Sequence, residues 1–278
     1  MCTQYRIIDF HNHIFPDNIA EKAVANIGNY YGKAMWGRGT VDALLESGSR
    51  INAERLVVHS SATHAGQVKA INDYIAGVIG THTNLIGFGT LHSGLEDIES
   101  EVQRLISFGL RGIKLHPEFQ QFSIDDEFML PIYAAVEGKL PILFHMGDAN
   151  KDSSSPQRLA RILDQFPKLT VIAAHLGGYQ MWDDSLKYLV GRDLYMDTSS
   201  SLAYLDGSKA VELMRRHGIQ KILFGTDFPM WGHQEELNRF LALKLTEDER
   251  KAILYDNAVK LLGLEFSGAA GLPDFRPA

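Results

Sequence analysis

Hydrophobic positions along the chain gather into short β-branched runs bounded by turn residues, with amphipathic stretches between them. The runs are Ile7–His11, Arg55–His59, Leu85–Thr90, Gly112–His116, Pro141–His145, Thr170–His175, Leu194–Thr198 and Lys221–Asp227. From the second onward they begin roughly 24 to 30 residues apart, the length of one strand and one crossover helix. The stretches between them carry helix signals. Leu95, Ile98, Val102, Leu105 and Ile106 share one helical face, and Gly109 ends it. Ser155-Pro156 reads as a cap followed by a proline at the first helical position, and Thr246 with Glu249 forms a capping box for a helix through Tyr255.

Near-continuous apolar strands alternating with amphipathic helices predict a parallel sheet covered by helices. Eight such units predict a closed (β/α)8 TIM barrel. The competing doubly wound sheet would show a Gly-x-Gly-x-x-Gly turn after the first strand, and none is present. Residues 14–54 read as one long irregular insertion after that strand, forming a lid or pocket wall. Its Tyr30, Tyr31 and Trp36 would pack against substrate or build a local core under the loop. One catalytic domain is expected over residues 1–266, with 267–278, rich in Gly and Pro, as a surface tail.

Composition narrows the function. The chain has 278 residues, 45% of them apolar, which excludes extended disorder. Its single cysteine, Cys2, allows no internal disulfide and suits a reducing, cytoplasmic setting. With 27 basic against 34 acidic side chains the net charge is -7, contrary to the basic patch of a nucleic-acid binder. No stretch approaches the ~20 apolar residues of a membrane span, and the first residues lack a signal-peptide pattern. The expected partner is a small-molecule substrate.

The chemistry lies where apolar strands end in ionisable residues. Parallel barrel strands present their C-terminal ends at one mouth, so residues distant in sequence converge there. In Asp9-Phe10-His11-Asn12-His13, alternation places Asp9, His11 and His13 on one face. His145 and His175 close the fifth and sixth strands, and Asp227 closes the eighth. Singly, each is an ordinary capped or hydrogen-bonded residue; together they are four imidazoles and one carboxylate at one rim. Neutral imidazoles grip divalent metals such as zinc. His11, His13, His145 and Asp227 would hold one ion with a position left for water, and bound water ionises near pH ~7. Asp227 could also accept that water's proton, with His175 orienting it or serving the leaving group.

Lys114 and His116 share a face of the fourth strand, and one of them would reach substrate or metal. A cationic Lys114 would hold a substrate carboxylate; the alternatives are a carboxylated lysine bridging a second ion and pairing with Asp9. Arg38 and Arg111 are further cations for an acid. Trp182 and Trp231, after the sixth and eighth strands, would line the mouth or pack under the insertion. His59, His64 and His92 lie near strand ends without a role the spacing assigns, and His82, His217 and His233 read as loop or helix-end residues.

These segments resemble a known family. Ile8–His13, Gly112–Pro117, Pro141–His145, Ala174–Gly178, Phe224–Pro229 and the closing Asp256–Leu262 are similar, in order, to the amidohydrolase superfamily. The likeness is strongest to its amidohydrolase-related branch, which contains aminocarboxymuconate-semialdehyde decarboxylase. The resemblance implies a distorted (β/α)8 barrel and zinc, or another divalent metal, on His11, His13, His145 and Asp227. It also implies one ion per chain, His175 as base or water-orienting residue, and homodimers as a habit of the branch. Some relatives open lactones without metal. The broader expectation is hydrolysis of an amide, lactone or ester through a metal-bound hydroxide. The alternative is non-oxidative decarboxylation of a small unsaturated or aromatic acid at the same site. Either activity is expected to fall below about pH 6 as the ligating histidines protonate.

Overall fold

The structure, a computed structural model, describes residues 5–264; the tail at 267–278 and Cys2 lie outside them. The first part of the chain runs β1 (Ile8–His13), α1 (Asp17–Tyr31), α2 (Val41–Ser49), β2 (Arg55–His59), α3 (Val68–Thr81), β3 (Leu85–Gly87) and α4 (Ile98–Ser107). The middle runs β4 (Ile113–Leu115), α5 (Pro117–Gln120), α6 (Leu130–Val136), β5 (Ile142–Phe144), α7 (Pro156–Gln165) and β6 (Val171–Ala173). Then follow α8 (Trp182–Tyr188), β7 (Tyr195–Asp197), α9 (Gly207–His217), β8 (Ile222–Leu223), α10 (His233–Leu241), α11 (Glu247–Lys251) and α12 (Asn257–Leu262).

All strand pairs are parallel, in the orders β1-β2-β3 and β4-β5-β6-β7-β8. Two bridges, Gly89 to Ile113 and Asn12 to Phe228, join these arcs. Backbone bonds reinforce both seams: Lys114 N–H donates to the Gly89 carbonyl at 2.7 Å, and Phe10 N–H to that of Phe224 at 2.8 Å. The strands therefore close into a TIM barrel, distorted because the seams are bridges rather than full ladders.

Strand parity sorts the side chains. Ile8, Phe10, Val57, Phe88, Leu143, Ile172 and Leu223 form the inner cluster, joined from α12 by Ala258 and Leu262 and by Tyr255 from the turn before it. Their neighbours in sequence, such as Leu56, Ile113, Leu115, Ile142 and Val171, face outward into the layer under the helices. Gly112 leaves room for this core, since a Cβ there would sit 2.4 Å from the Phe88 ring. The capping box of Thr246 and Glu249 is present, and the helix it opens passes through a π turn at Ala252–Asp256 before α12. Asn257 then ties that helix to β8, its amide donating to the Ile219 and Ile222 carbonyls at 2.7 Å.

Three elements differ from the sequence expectation. The insertion is helical rather than irregular: α1 buries Ala20, Val24 and Gly28, four residues apart, but these small side chains give a weak apolar signal. α4 starts at Ile98 under an Asp97 cap, and it leaves Ile106 41% exposed because Ile98, Val102 and Leu105 form the face turned to the core. A register shift in β1 between Asp9 and Asn12 turns Asp9 away from His11 and His13. Among the described residues no helix is long and apolar enough to cross a membrane.

Candidate active site

The same parity that fills the interior supplies the mouth. Val57, Leu143 and Ile172 point inward, so His59 and His145, two positions beyond the first two, point inward one layer higher, as does His116 beyond Lys114. At β6 the chain leaves the strand through two left-handed residues, His175 at φ 60° and Leu176 at φ 50°, which swing the His175 ring over the opening. Asp227, at φ 65°, makes a similar turn after β8, with its N–H bonded to the His11 carbonyl at 2.9 Å. Left-handed non-glycine residues cost free energy and concentrate at functional sites.

Three donor atoms meet at the centre. His11 Nε2 stands 3.3 Å from His13 Nε2, and each is 3.4 Å from Asp227 Oδ1. Burial and the Lys114 charge hold the His11 pKa well below its ordinary value, and burial lowers His13 as well, so both rings are neutral. Burial alone would raise the Asp227 pKa, but His11, His13 and His175 outweigh it and hold the carboxyl well below the usual range. His11 Nδ1–H donates to Asp197 Oδ2 at 2.8 Å, which leaves the Nε2 lone pair facing His13 and Asp227. Asp197 Oδ1 accepts from the His175 and Ser199 N–H groups, both at 3.0 Å, so one carboxylate orients two histidines.

These residues fit a divalent metal. Atoms bound about 2.1 Å from one centre at tetrahedral angles stand about 3.4 Å apart, the spacing seen among these donors. Two neutral imidazoles and an ionised carboxylate, with the His11 Nε2 lone pair turned toward the other donors and toward Lys114 Nζ, are a suitable donor set.

The other site residues expected from sequence fall around this centre. His145 pairs with His175, Nδ1 to Nε2 at 3.0 Å, while its Nε2 lies 2.9 Å from the Gly147 carbonyl. Lys114 lies beneath the cavity rather than in its wall: fully buried, its Nζ is 3.2 Å from His11 Nε2. Burial pushes its pKa down to about 8 against the pull of Asp197 and Asp227. Lys114 is not paired with Asp9, whose carboxylate accepts from Thr226 and stands 3.0 Å from His233 Nε2. His116 does line the cavity, stacked 3.9 Å from the His145 ring.

Trp182 and Trp231 are corrections. Neither lines the cavity: Trp182 Nε1–H donates to the His175 carbonyl and Trp231 Nε1–H to Ser200 Oγ, both at 3.0 Å, so their indoles brace the rim from behind. Arg38 and Arg111 are also absent from the wall.

Tyr31, one of the insertion aromatics expected near substrate, lines the wall, whereas sequence reasoning passed over Phe119 and Met35. Tyr31, at the end of α1, reaches its hydroxyl to 3.1 Å from His116 Nε2 and 3.3 Å from His145 Nε2. Phe119, Tyr179, Met35 and Met230 complete an apolar, aromatic wall around a narrow cavity that opens to solvent. Glu118 sits behind His116, and burial raises its pKa to about 7. Asp197 could have been found, since it closes the seventh strand as Asp227 closes the eighth. Tyr31 stood out as an aromatic residue of the insertion, but nothing local named the histidines it reaches.

The sequence profile of the amidohydrolase family matches residues 8–264. The chain belongs to the amidohydrolase family. Among curated proteins no match is found. Solved structures share the fold at low identity. The 5-carboxyvanillate decarboxylase of Sphingomonas paucimobilis is 13% identical, with a TM-score of 0.71 over 94% of this chain and 99% of that one. A dihydroxybenzoic acid decarboxylase from Polaromonas sp. JS666, solved with manganese and 2-nitroresorcinol, is 15% identical, with a TM-score of 0.71 over 95% and 98%. A probable 2-pyrone-4,6-dicarboxylic acid hydrolase from Acinetobacter baumannii is 17% identical, with a TM-score of 0.69 over 93% and 99%.

Proposed function

We propose that this amidohydrolase is a divalent-metal-dependent, non-oxidative decarboxylase of a small aromatic or unsaturated carboxylic acid. This places the alternative reading of the sequence ahead of simple hydrolysis. The observation that carries it is the cavity itself: aromatic and thioether walls from Tyr31, Phe119, Tyr179, Met35 and Met230 above a floor of metal donors. Such a wall suits a flat ring, and such a floor suits an anionic substituent. Two decarboxylases of aromatic acids among the structural relatives are consistent with this choice.

His11, His13 and Asp227 hold the ion in this proposal, with His145 beside them on the same rim. Manganese and zinc are both compatible with two nitrogens and a carboxylate. A cation held there by His11, His13 and Asp227 would supply positive charge to stabilise the negative charge that builds as carbon dioxide leaves. Asp197 holds the His11 ring through Nδ1, and the Ser199 carbonyl, 2.9 Å from His175 Nδ1, fixes the other face of the pair. The carbon–carboxyl bond breaks, its electron pair stays on the ring carbon, and that carbon takes a proton held at His175 Nε2. Tyr31 and Tyr179 shield the site from bulk water.

A second reading, lactone opening, draws on the ionised Asp227 beside the donor set, which could take a proton from water. The test is carbon dioxide release from hydroxylated benzoates, compared with ring opening of a pyrone dicarboxylate, by protein loaded with manganese or zinc. Metal-dependent release of carbon dioxide is expected. Ring opening with no carbon dioxide from any acid would overturn the decarboxylase reading in favour of the hydrolase.

A further inference from the structure

His59 has no task in the arrangement described so far, yet it occupies the centre of it. It closes β2, and the β1–β2 ladder sets it directly beside His13, so both side chains enter the mouth at one level. It is fully buried, and neither Nδ1 nor Nε2 has a hydrogen-bond partner. Three other histidines at this centre have one: His11 on Asp197, His145 on Gly147, His175 on Ser199. A buried polar atom left unpaired loses its hydration without gaining a partner, so a ring with two such atoms demands a reason. Leucine or phenylalanine would fill the space without that cost.

Its surroundings supply the reason. A ring nitrogen of His59 and those of His11 and His13 all lie within 4.8 Å of one another. The His59 ring meets the His13 ring edge to face at 4.5 Å and the His11 ring at 4.9 Å between centroids. Donors on opposite sides of an ion with bonds of about 2.1 Å stand about 4.2 Å apart, so a side-chain adjustment of a few tenths of an ångström brings any pair in the group within reach of one ion. Burial also holds the ring neutral, the form that coordinates.

We propose that His59 supplies a third imidazole to the ion held by His11, His13 and Asp227, so that β2 contributes a metal ligand alongside β1 and the turn after β8. The inference depends on the metal reading given above.

The test uses the full chain, stripped with a chelator and titrated with Co2+ and Mn2+ against a competing fluorescent chelator. His59→Phe is expected to weaken binding by about 10- to 100-fold or more and to change the visible absorption of the Co2+ form as a nitrogen is lost. In the metal-free state the same variant is expected to melt at the wild-type temperature or above it, because two unpaired nitrogens are gone. His59→Leu, smaller than the phenylalanine, carries the comparison if the larger ring disturbs packing. Affinity within twofold of wild type and an unchanged Co2+ spectrum in either folded variant would overturn the assignment and leave His59 as a packing residue. A wild-type chain that takes up none of these ions would overturn the metal reading as well, which separates the two failures.

Discussion

The lower interior of the barrel and its mouth are built from the same strands and follow opposite rules. Below, Ile8, Phe10, Phe88, Leu143, Ile172 and Leu223 pack with α12 into a dry core. One layer higher, His11, His59, Lys114, Asp197 and Thr226 are just as inaccessible to solvent but polar. Burial stabilises the first layer by removing apolar surface from water, at about 25 cal/mol per Å². It penalises the second unless each polar group finds a partner. The mouth accepts that cost because buried donors with fixed tautomers are what a metal and a substrate require. Stability and chemistry are thus separated by one alternation of the strand.

The separation can be broken from either side. The largest effect is expected from His11→Ala: metal content and activity collapse, while circular dichroism and the melting transition stay close to those of the metal-free parent. An unfolded variant would place the mouth among the elements that hold the barrel together. Phe88→Ala is the converse. It should cost about 3–5 kcal/mol in denaturant unfolding, with metal stoichiometry retained at temperatures where the variant is folded.

Acidity sharpens the contrast. Burial holds the Glu118 pKa at about 7 in the fold, whereas an unfolded glutamate titrates near 4.5. Between those values the folded state binds the extra proton. Metal-free stability should therefore fall as pH rises through this window, by up to about 3 kcal/mol at the far side. Glu118→Gln should flatten that slope and be the more stable protein at pH 8; parallel curves would show the carboxyl is not protonated in the fold. For His11 and His13, the proposed ligands, the same direction holds as in the simple expectation but the window moves to lower pH. Burial lowers the His11 and His13 pKa values, so metal loss on acidification should set in at a lower pH than an exposed histidine pair would give. Metal analysis after dialysis at stepped pH checks it.

Smaller effects belong to groups that orient rather than bind. Asp197→Asn should weaken metal binding by about 10- to 100-fold through the loosened His11 ring, without unfolding the barrel. Trp182→Phe removes a single hydrogen bond to the His175 carbonyl and is expected to cost about 1 kcal/mol of stability with KM little changed. A large rise in KM would return that indole to the substrate wall.

Much of the fold was legible because its signals are local. Apolar strand runs, the Thr246–Glu249 box and the glycine stop at Gly109 depend on residues a few positions apart. α1 was not, because Ala20, Val24 and Gly28 bury too little to show as a stripe. Likewise, no spacing rule announces the shift in β1 that sends Asp9 to Thr226 and His233.

Sequence alone determined which chemistry the chain carries: imidazoles and carboxylates where apolar strands end, in an order that names the family. Tertiary structure decided who meets whom. Tyr31 reaches His116 and His145 from 85 and 114 residues away, and Asp197 grips His11 from 186. His59 joins His13 only because two strands lie in one register. Backbone preference and hydrophobic period are written in near neighbours, whereas the partners of a buried polar group are chosen by how the cylinder closes.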